Sequence, residues 1–250
     1  MTKAIGEMSD TLKKYLDADY PLLDKFKSQA AGTFRHSQNV TNLCEAVASD
    51  LGLDETFMRV CATYHDIGKM HNPKYFTENQ NGDGNPHDDL EPHISYQLIS
   101  RHVADSVLIL MTETDMPREV MEVISEHHGD TVLGAIFRKS ESTNEDNFRY
   151  KCPKPKGEYA SILMIVDAVE ATARSIADKL TTPESKIKVV KETIERLRED
   201  QQLDEMKVGV LRQVQNRLVR ELDGIYHTRV DYDEEPVVEK KKIKKSEDKE

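Results

Sequence analysis

"ATYHDIGKMHNP", residues 62–73, sets a histidine beside an aspartate where an apolar stretch ends. At about 100° per residue, Phe57, Cys61 and His65 share one face of a helix, so the His65 ring continues an apolar stripe toward the core. Gly68 then reads as the helix stop. The pair is either a polar helix end or part of a metal site, and the other ionisable residues decide between the two.

Working outward, His36 shares a stripe with Val40, Leu43 and Val47, while His127 and His128 end the stripe of Val120 and Ile124. Asp167 falls on the face of Ala160, Leu163, Ala171 and Arg174. A carboxylate among such neighbours is costly unless it is paired. A further helix offers His93 or His102, which lie on opposite sides; His102 follows Leu98 and Ile94 on the apolar side and is the one predicted to face inward. His71, His87 and His227 read as surface or supporting residues.

Separate helices thus turn ionisable groups toward one interior. A shared cation offsets the desolvation of all of them, and imidazole with carboxylate suits Fe, Mn or Zn. The competing arrangement is an internal His–Asp hydrogen-bond network, which must satisfy many buried polar groups without a cation.

The helical period recurs near 33–51, 55–67, 92–110, 117–128, 158–180, 183–199 and 206–226, with no alternating strand pattern, so the fold expected is all-α. Residues 1–31 read as an N-terminal helical cover, with one or two short helices broken at Pro21, and 32–230 as the main domain. The segment 231–250 reads as a charged, disordered tail. Two long loops, 70–91 and 138–157, interrupt the helices and are expected to carry function.

A formal charge of -11 argues against an extended nucleic-acid surface or contact with an anionic membrane. Cys44, Cys61 and Cys152 are odd in number and far apart, as in a reduced cytoplasmic protein. The longest apolar runs fall far short of a membrane span and the N-terminus lacks a signal-peptide core, so a soluble chain is expected.

The order H…HD…H…HH…D, together with "GTFRHSQNV", "YHDIGKMHNPKYFTENQ", "NPHDDLEPHISYQLISRHV", "EHHGDT", "FRYKCPKPKGEYASILMIVDAVEATARS" and "GIYHTRVDY", resembles the HD-domain metal-dependent phosphohydrolases. Within that family it looks like the cytosolic HD domain of PgpH-type (seven-transmembrane-receptor HD) cyclic di-AMP phosphodiesterases, over about residues 32–232. The resemblance implies an HD-type helical bundle in which His36, His65, Asp66, His102, His127, His128 and Asp167 hold two divalent ions, with Asp66 bridging. Fe or Mn is expected first, with Zn, Co or Mg as alternatives. Relatives of this type carry transmembrane helices ahead of the domain, so the chain is expected to be an excised cytosolic portion or a free-standing version. Lys151 and Cys152 replace the family's Pro-Gly, and Ala104 and Ser106 depart from its Lys-Asp-Gly pattern.

The expected reaction is hydrolysis of a cyclic dinucleotide, cyclic di-AMP to pApA, by a hydroxide that two metals activate. His65, Asp66 and Lys69 form the expected catalytic group, with Lys69 on a phosphate oxygen. Lys69, Tyr75, Asn79, Arg149, Tyr150 and Lys154 are the expected substrate contacts. The alternatives are an HD phosphohydrolase of mononucleotides, deoxynucleotide triphosphates or guanosine polyphosphates, and a non-catalytic HD binding module. Assembly into a homo-oligomer is left open.

Overall fold

The structure, a computed structural model, describes residues 2–80, 82 and 84–227. The expected tail, 231–250, lies outside the described residues. Eleven α-helices are found among those described: α1 Thr2–Leu12, α2 Pro21–Gln29, α3 Ala31–Leu51, α4 Glu55–Tyr64, α5 Pro92–Ser100, α6 His102–Glu113, α7 Arg118–Glu126, α8 Gly134–Lys139, α9 Gly157–Ser175, α10 Pro183–Glu199 and α11 Val208–His227. The only extended pairing among the described residues is an isolated antiparallel bridge between Val132 and Arg149.

Local chemistry sets several boundaries. Gly52 ends α3 in the left-handed conformation, φ 65°, and its N–H reaches the carbonyls of Ala48 and Ser49. Asp54 then caps α4 by accepting the Phe57 N–H at 2.8 Å. Thr182 and Ser185 form a reciprocal cap on α10, with Pro183 at its first position. Pro21 likewise starts α2.

The core gathers around α3, which packs against α4, α9 and α11. Val40, Leu43, Cys44 and Val47 of α3 meet Phe57 and Cys61 of α4, Val120 and Ile124 of α7, and Leu163 and Val166 of α9 in one buried cluster. Ile5, Leu12, Tyr15, Leu22 and Phe26 join that same cluster, so the N-terminal helices close one side of the bundle. The Tyr64 hydroxyl donates to the Tyr15 carbonyl at 2.7 Å and ties them down.

Two readings of the periodicity differ from the structure. The block 92–110 is two helices meeting at Arg101, and the six-residue α8 sits at the edge of the second long loop. Six residues cover less than two turns, too few for a period to register. Within the first long loop, short 3-10 turns form at Pro73–Tyr75, Thr77–Asn79 and Pro86–Asp89.

Gly68 is not a helix stop. Its φ is not positive, and α4 has already ended at Tyr64. Its role is close approach: a Cβ there would lie 2.1 Å from the His102 carbonyl oxygen and 2.4 Å from the Ser106 nitrogen. The Ser106 hydroxyl donates to the His65 carbonyl and accepts the Gly68 N–H, both at 2.9 Å, which pins the turn after α4 to the start of α6.

Gly68→Ala is therefore expected to lower stability by about 3 kcal/mol, because backbone rather than a flexible side chain must yield. Gly209→Ala, in open space on α11, should instead raise it by about 0.5–1 kcal/mol. Urea unfolding of the two variants compares them directly, and equal midpoints would contradict the packing role.

Candidate metal centre

The inward ionisable residues converge where several helices end or begin. His65 and Asp66 follow α4, His127 and His128 follow α7, and His102 opens α6. His36 comes from the second turn of α3 and Asp167 from the middle of α9. Helix ends bring backbone close together without a long side chain in between, which lets short imidazoles and carboxylates meet.

The cluster divides into two groups of possible ligand atoms, His36, His65, Asp66 and Asp167 in one and Asp66, His102, His127 and His128 in the other, each lying within 4.8 Å. Asp66 belongs to both and gives each a different oxygen. Its Oδ2 lies 3.2 Å from His65 Nε2 and 3.6 Å from His36 Nε2. Its Oδ1 lies 3.2 Å from His102 Nε2 and 3.9 Å from His127 Nε2. Asp167 Oδ1 is 3.0 Å from His36 Nε2, and its Oδ2 is 3.8 Å from His128 Nδ1.

The second nitrogens of the rings establish what the first are for. His65, His102 and His127 each place Nδ1 against the carbonyl three residues earlier, of Ala62 at 2.7 Å, Ile99 at 2.6 Å and Ile124 at 2.6 Å. A carbonyl only accepts, so Nδ1 carries the proton and Nε2 turns a lone pair inward in the neutral ring. Those three Nε2 atoms, with Asp66 Oδ1, are buried and have no hydrogen-bond partner. Buried orphans of this kind are costly unless something else satisfies them. Imidazole nitrogens fixed from behind around a shared carboxylate fit a divalent cation.

Electrostatics follow the same division. Burial alone would raise the Asp66 carboxyl, but the Lys69 ammonium and His65 outweigh it and hold it well below the usual range. Asp167 is held low against its burial by His36 and His65. Burial opposes a charge on His65 too, yet the Asp66 and Asp167 carboxylates bring its pKa up to about 10. His127 goes the other way, lowered to about 3 by burial and then by the charge on His65. His128 is lowered by burial and by His127. The two carboxylates thus favour a proton on His65, while burial keeps His127 and His128 as neutral donors.

The remaining residues singled out from the sequence are spread over a wider area. Lys69 borders the cluster, its Nζ 2.7 Å from Asp66 Oδ2 and 3.0 Å from Glu78 Oε1, over the Phe76 ring. Tyr150 is buried and stacks on His128 with ring centroids 4.4 Å apart. Tyr75 is half-buried and packs against His87, whose Nε2 meets the Tyr75 carbonyl. Asn79 uses its amide on Thr33 and the Pro73 carbonyl, fastening the loop to α3. The guanidinium of Arg149 is bound to the Asp130 carbonyl, Asp200 and Glu145. Lys154 faces Asp130 and the Gln201 carbonyl. Of these six, Lys69 and Tyr150 are the ones in contact with the histidine–aspartate cluster. His93 is exposed and His102 buried.

Sequence reasoning passed over Glu170, which is buried and accepts from His36 Nδ1 at 2.5 Å. Its signal was its place one helical turn after Asp167, on the same side of α9. Glu78 and Ser106 had no signal, since their partners come from other elements.

The family model of the HD domain matches residues 33–172. The cyclic-di-AMP phosphodiesterase PgpH of Listeria monocytogenes is 36% identical over 88% of this chain, and that of Bacillus subtilis 35% identical over 86%. The chain spans about a third of the length of these curated relatives, 31% in both cases. The crystal structure of the L. monocytogenes PgpH HD domain is 36% identical, with a TM-score of 0.79 over 84% of this chain and 100% of that one. A second structure of that domain, solved in complex with cyclic di-AMP, has a TM-score of 0.78 and 34% identity.

Added Mn2+ is expected to raise the unfolding temperature by about 5–10 °C at saturating concentration, since ligand at a hundred times its Kd contributes about 2.7 kcal/mol. A chelator should reverse the rise and Asp66→Ala remove it. A thermal scan unaffected by metal would mean the orphaned atoms are satisfied some other way.

Proposed function

The chain belongs to the HD domain family, and from that premise we propose that it is a metal-dependent phosphodiesterase opening cyclic di-AMP to linear pApA. The observation that carries this reading is the division of the Asp66 carboxylate between two sets of donors. The likeness to an HD domain solved with cyclic di-AMP supports the substrate.

Asp66 would bridge two divalent ions, with His36, His65 and Asp167 completing one set and His102, His127 and His128 the other. Mixed imidazole and carboxylate donors suit Fe or Mn, and accept Zn as well. Bound there, the ions supply charge neutralisation at the phosphate and activation of water. The carbonyls of Ala62, Ile99 and Ile124 keep three imidazoles aimed inward throughout. Lys69, aimed by Glu78, offers its ammonium to a non-bridging phosphate oxygen and stabilises charge that grows there during attack.

Water is excluded from one side by the full burial of His65, Asp66 and His127, so substrate enters past His128, the partly exposed member. Tyr150 stacks behind the His128 ring and holds that edge in place. Cys44 and Cys61 are buried with their thiols pushed up by burial, which disqualifies them as nucleophiles. The three free thiols suit a reducing, cytoplasmic setting. No helix among the described residues is long and apolar enough to cross a membrane.

Incubation with cyclic di-AMP and Mn2+ should yield pApA, followed by chromatography. Asp66→Asn is expected to abolish turnover, and Lys69→Met to lower kcat about a hundredfold while bound Mn2+ is retained. Hydrolysis of a mononucleotide, a deoxynucleotide triphosphate or a guanosine polyphosphate, with cyclic di-AMP left intact, would overturn the substrate assignment.

A further inference from the structure

The two halves of the cluster are built differently. In the His36 half, two carboxylates, Asp66 and Asp167, face two imidazoles, and the four residues are all buried. In the His128 half, three imidazoles gather about one Asp66 oxygen, Asp167 reaches only its edge with Oδ2 3.8 Å from His128 Nδ1, and the His128 side chain is 20% exposed. The support behind the rings differs as well. Only His36 has a carboxylate behind it, Glu170 Oε2 at 2.5 Å from Nδ1, whereas His65, His102 and His127 lean on neutral carbonyls.

Glu170 is itself held on three sides, by His36, by Asn39 Nδ2 at 3.0 Å on its Oε1, and by Arg174 Nε at 3.2 Å on its Oε2. A carboxylate accepting from the far nitrogen fixes the ring and makes the near nitrogen a stronger donor. Carboxylates also suit a hard ion such as Mn2+ better than imidazoles do. Resting on the two-ion reading above, we infer that the two metal positions load in sequence. The His36 position fills first and holds its ion, the His128 position fills second and exchanges with solvent, and Glu170 is the positioning residue that sets the order. Activity would then track the occupancy of the weaker position, so that metal supply regulates turnover without a separate effector site.

The test is a calorimetric Mn2+ titration of the metal-free protein, with free Mn2+ counted by electron paramagnetic resonance. Two classes of site are expected, at least about tenfold apart in affinity. His128→Ala should remove the weaker class and leave the tighter one. In that background Glu170→Gln, which keeps the shape but not the charge, should weaken the remaining site by about 10–100-fold. Asn39→Ala, at an exposed position, should produce a smaller loss in the same direction without risk to the fold. Circular dichroism confirms that each variant is folded. Equal affinities in the wild type, loss of both classes in His128→Ala, or unchanged affinity in Glu170→Gln would overturn the inference and leave the two-ion reading intact. Absence of any Mn2+ binding by the wild type would overturn both.

Discussion

The metal centre is arranged around one buried carboxylate. Asp66 is 1% exposed and sits among the rings of His36, His65, His102 and His127. A charge so far from water is tolerated only where opposite charge or directed donors surround it. A short side chain cannot reach out to find them, so the helices must bring them in. The ends of α4 and α7, the start of α6 and the inner faces of α3 and α9 all meet at this point.

That requirement explains details that look unrelated. Gly68 lacks a side chain because the turn carrying Asp66 must press against the backbone of α6, and Ser106 supplies the two hydrogen bonds that hold it there. Gly32 serves the same end on the other side, where a Cβ would lie 1.8 Å from the Glu78 carbonyl oxygen. Its absence lets the loop after α4 fold onto α3 and deliver Glu78 to Lys69. The short bridge between Val132 and Arg149 brings Tyr150 alongside His128. Close backbone approach, more than side-chain reach, builds the surroundings of the site.

Much of this was legible in the linear pattern. Stripes of apolar residues at helical spacing carried His36, His65, His127, His128 and Asp167 with them, because a side chain on a helix face goes where that face goes. The choice of His102 over His93 rested on the same reasoning, even though the helix assumed to hold both is two helices meeting at Arg101. Residues in the long loops were harder. Asn79 and Arg149 were picked for chemistry that suits a nucleotide, and in the folded chain their polar atoms are engaged by Thr33, Pro73, Asp130, Glu145 and Asp200. A loop has no period, so nothing in it says which way a side chain turns.

By itself, then, the sequence determined the all-α architecture, the inward set of histidines and aspartates, and the family. Each of these follows from local periodicity or from motif strings short enough to read directly. Only the tertiary structure decided how that set divides into two groups about the oxygens of Asp66, that Glu170 stands behind His36, and that Glu78 and Ser106 hold Lys69 and the turn in place. Those relations join residues far apart in the chain, such as His36 and Glu170, and distance in space between such residues is a property of packing that no local pattern encodes.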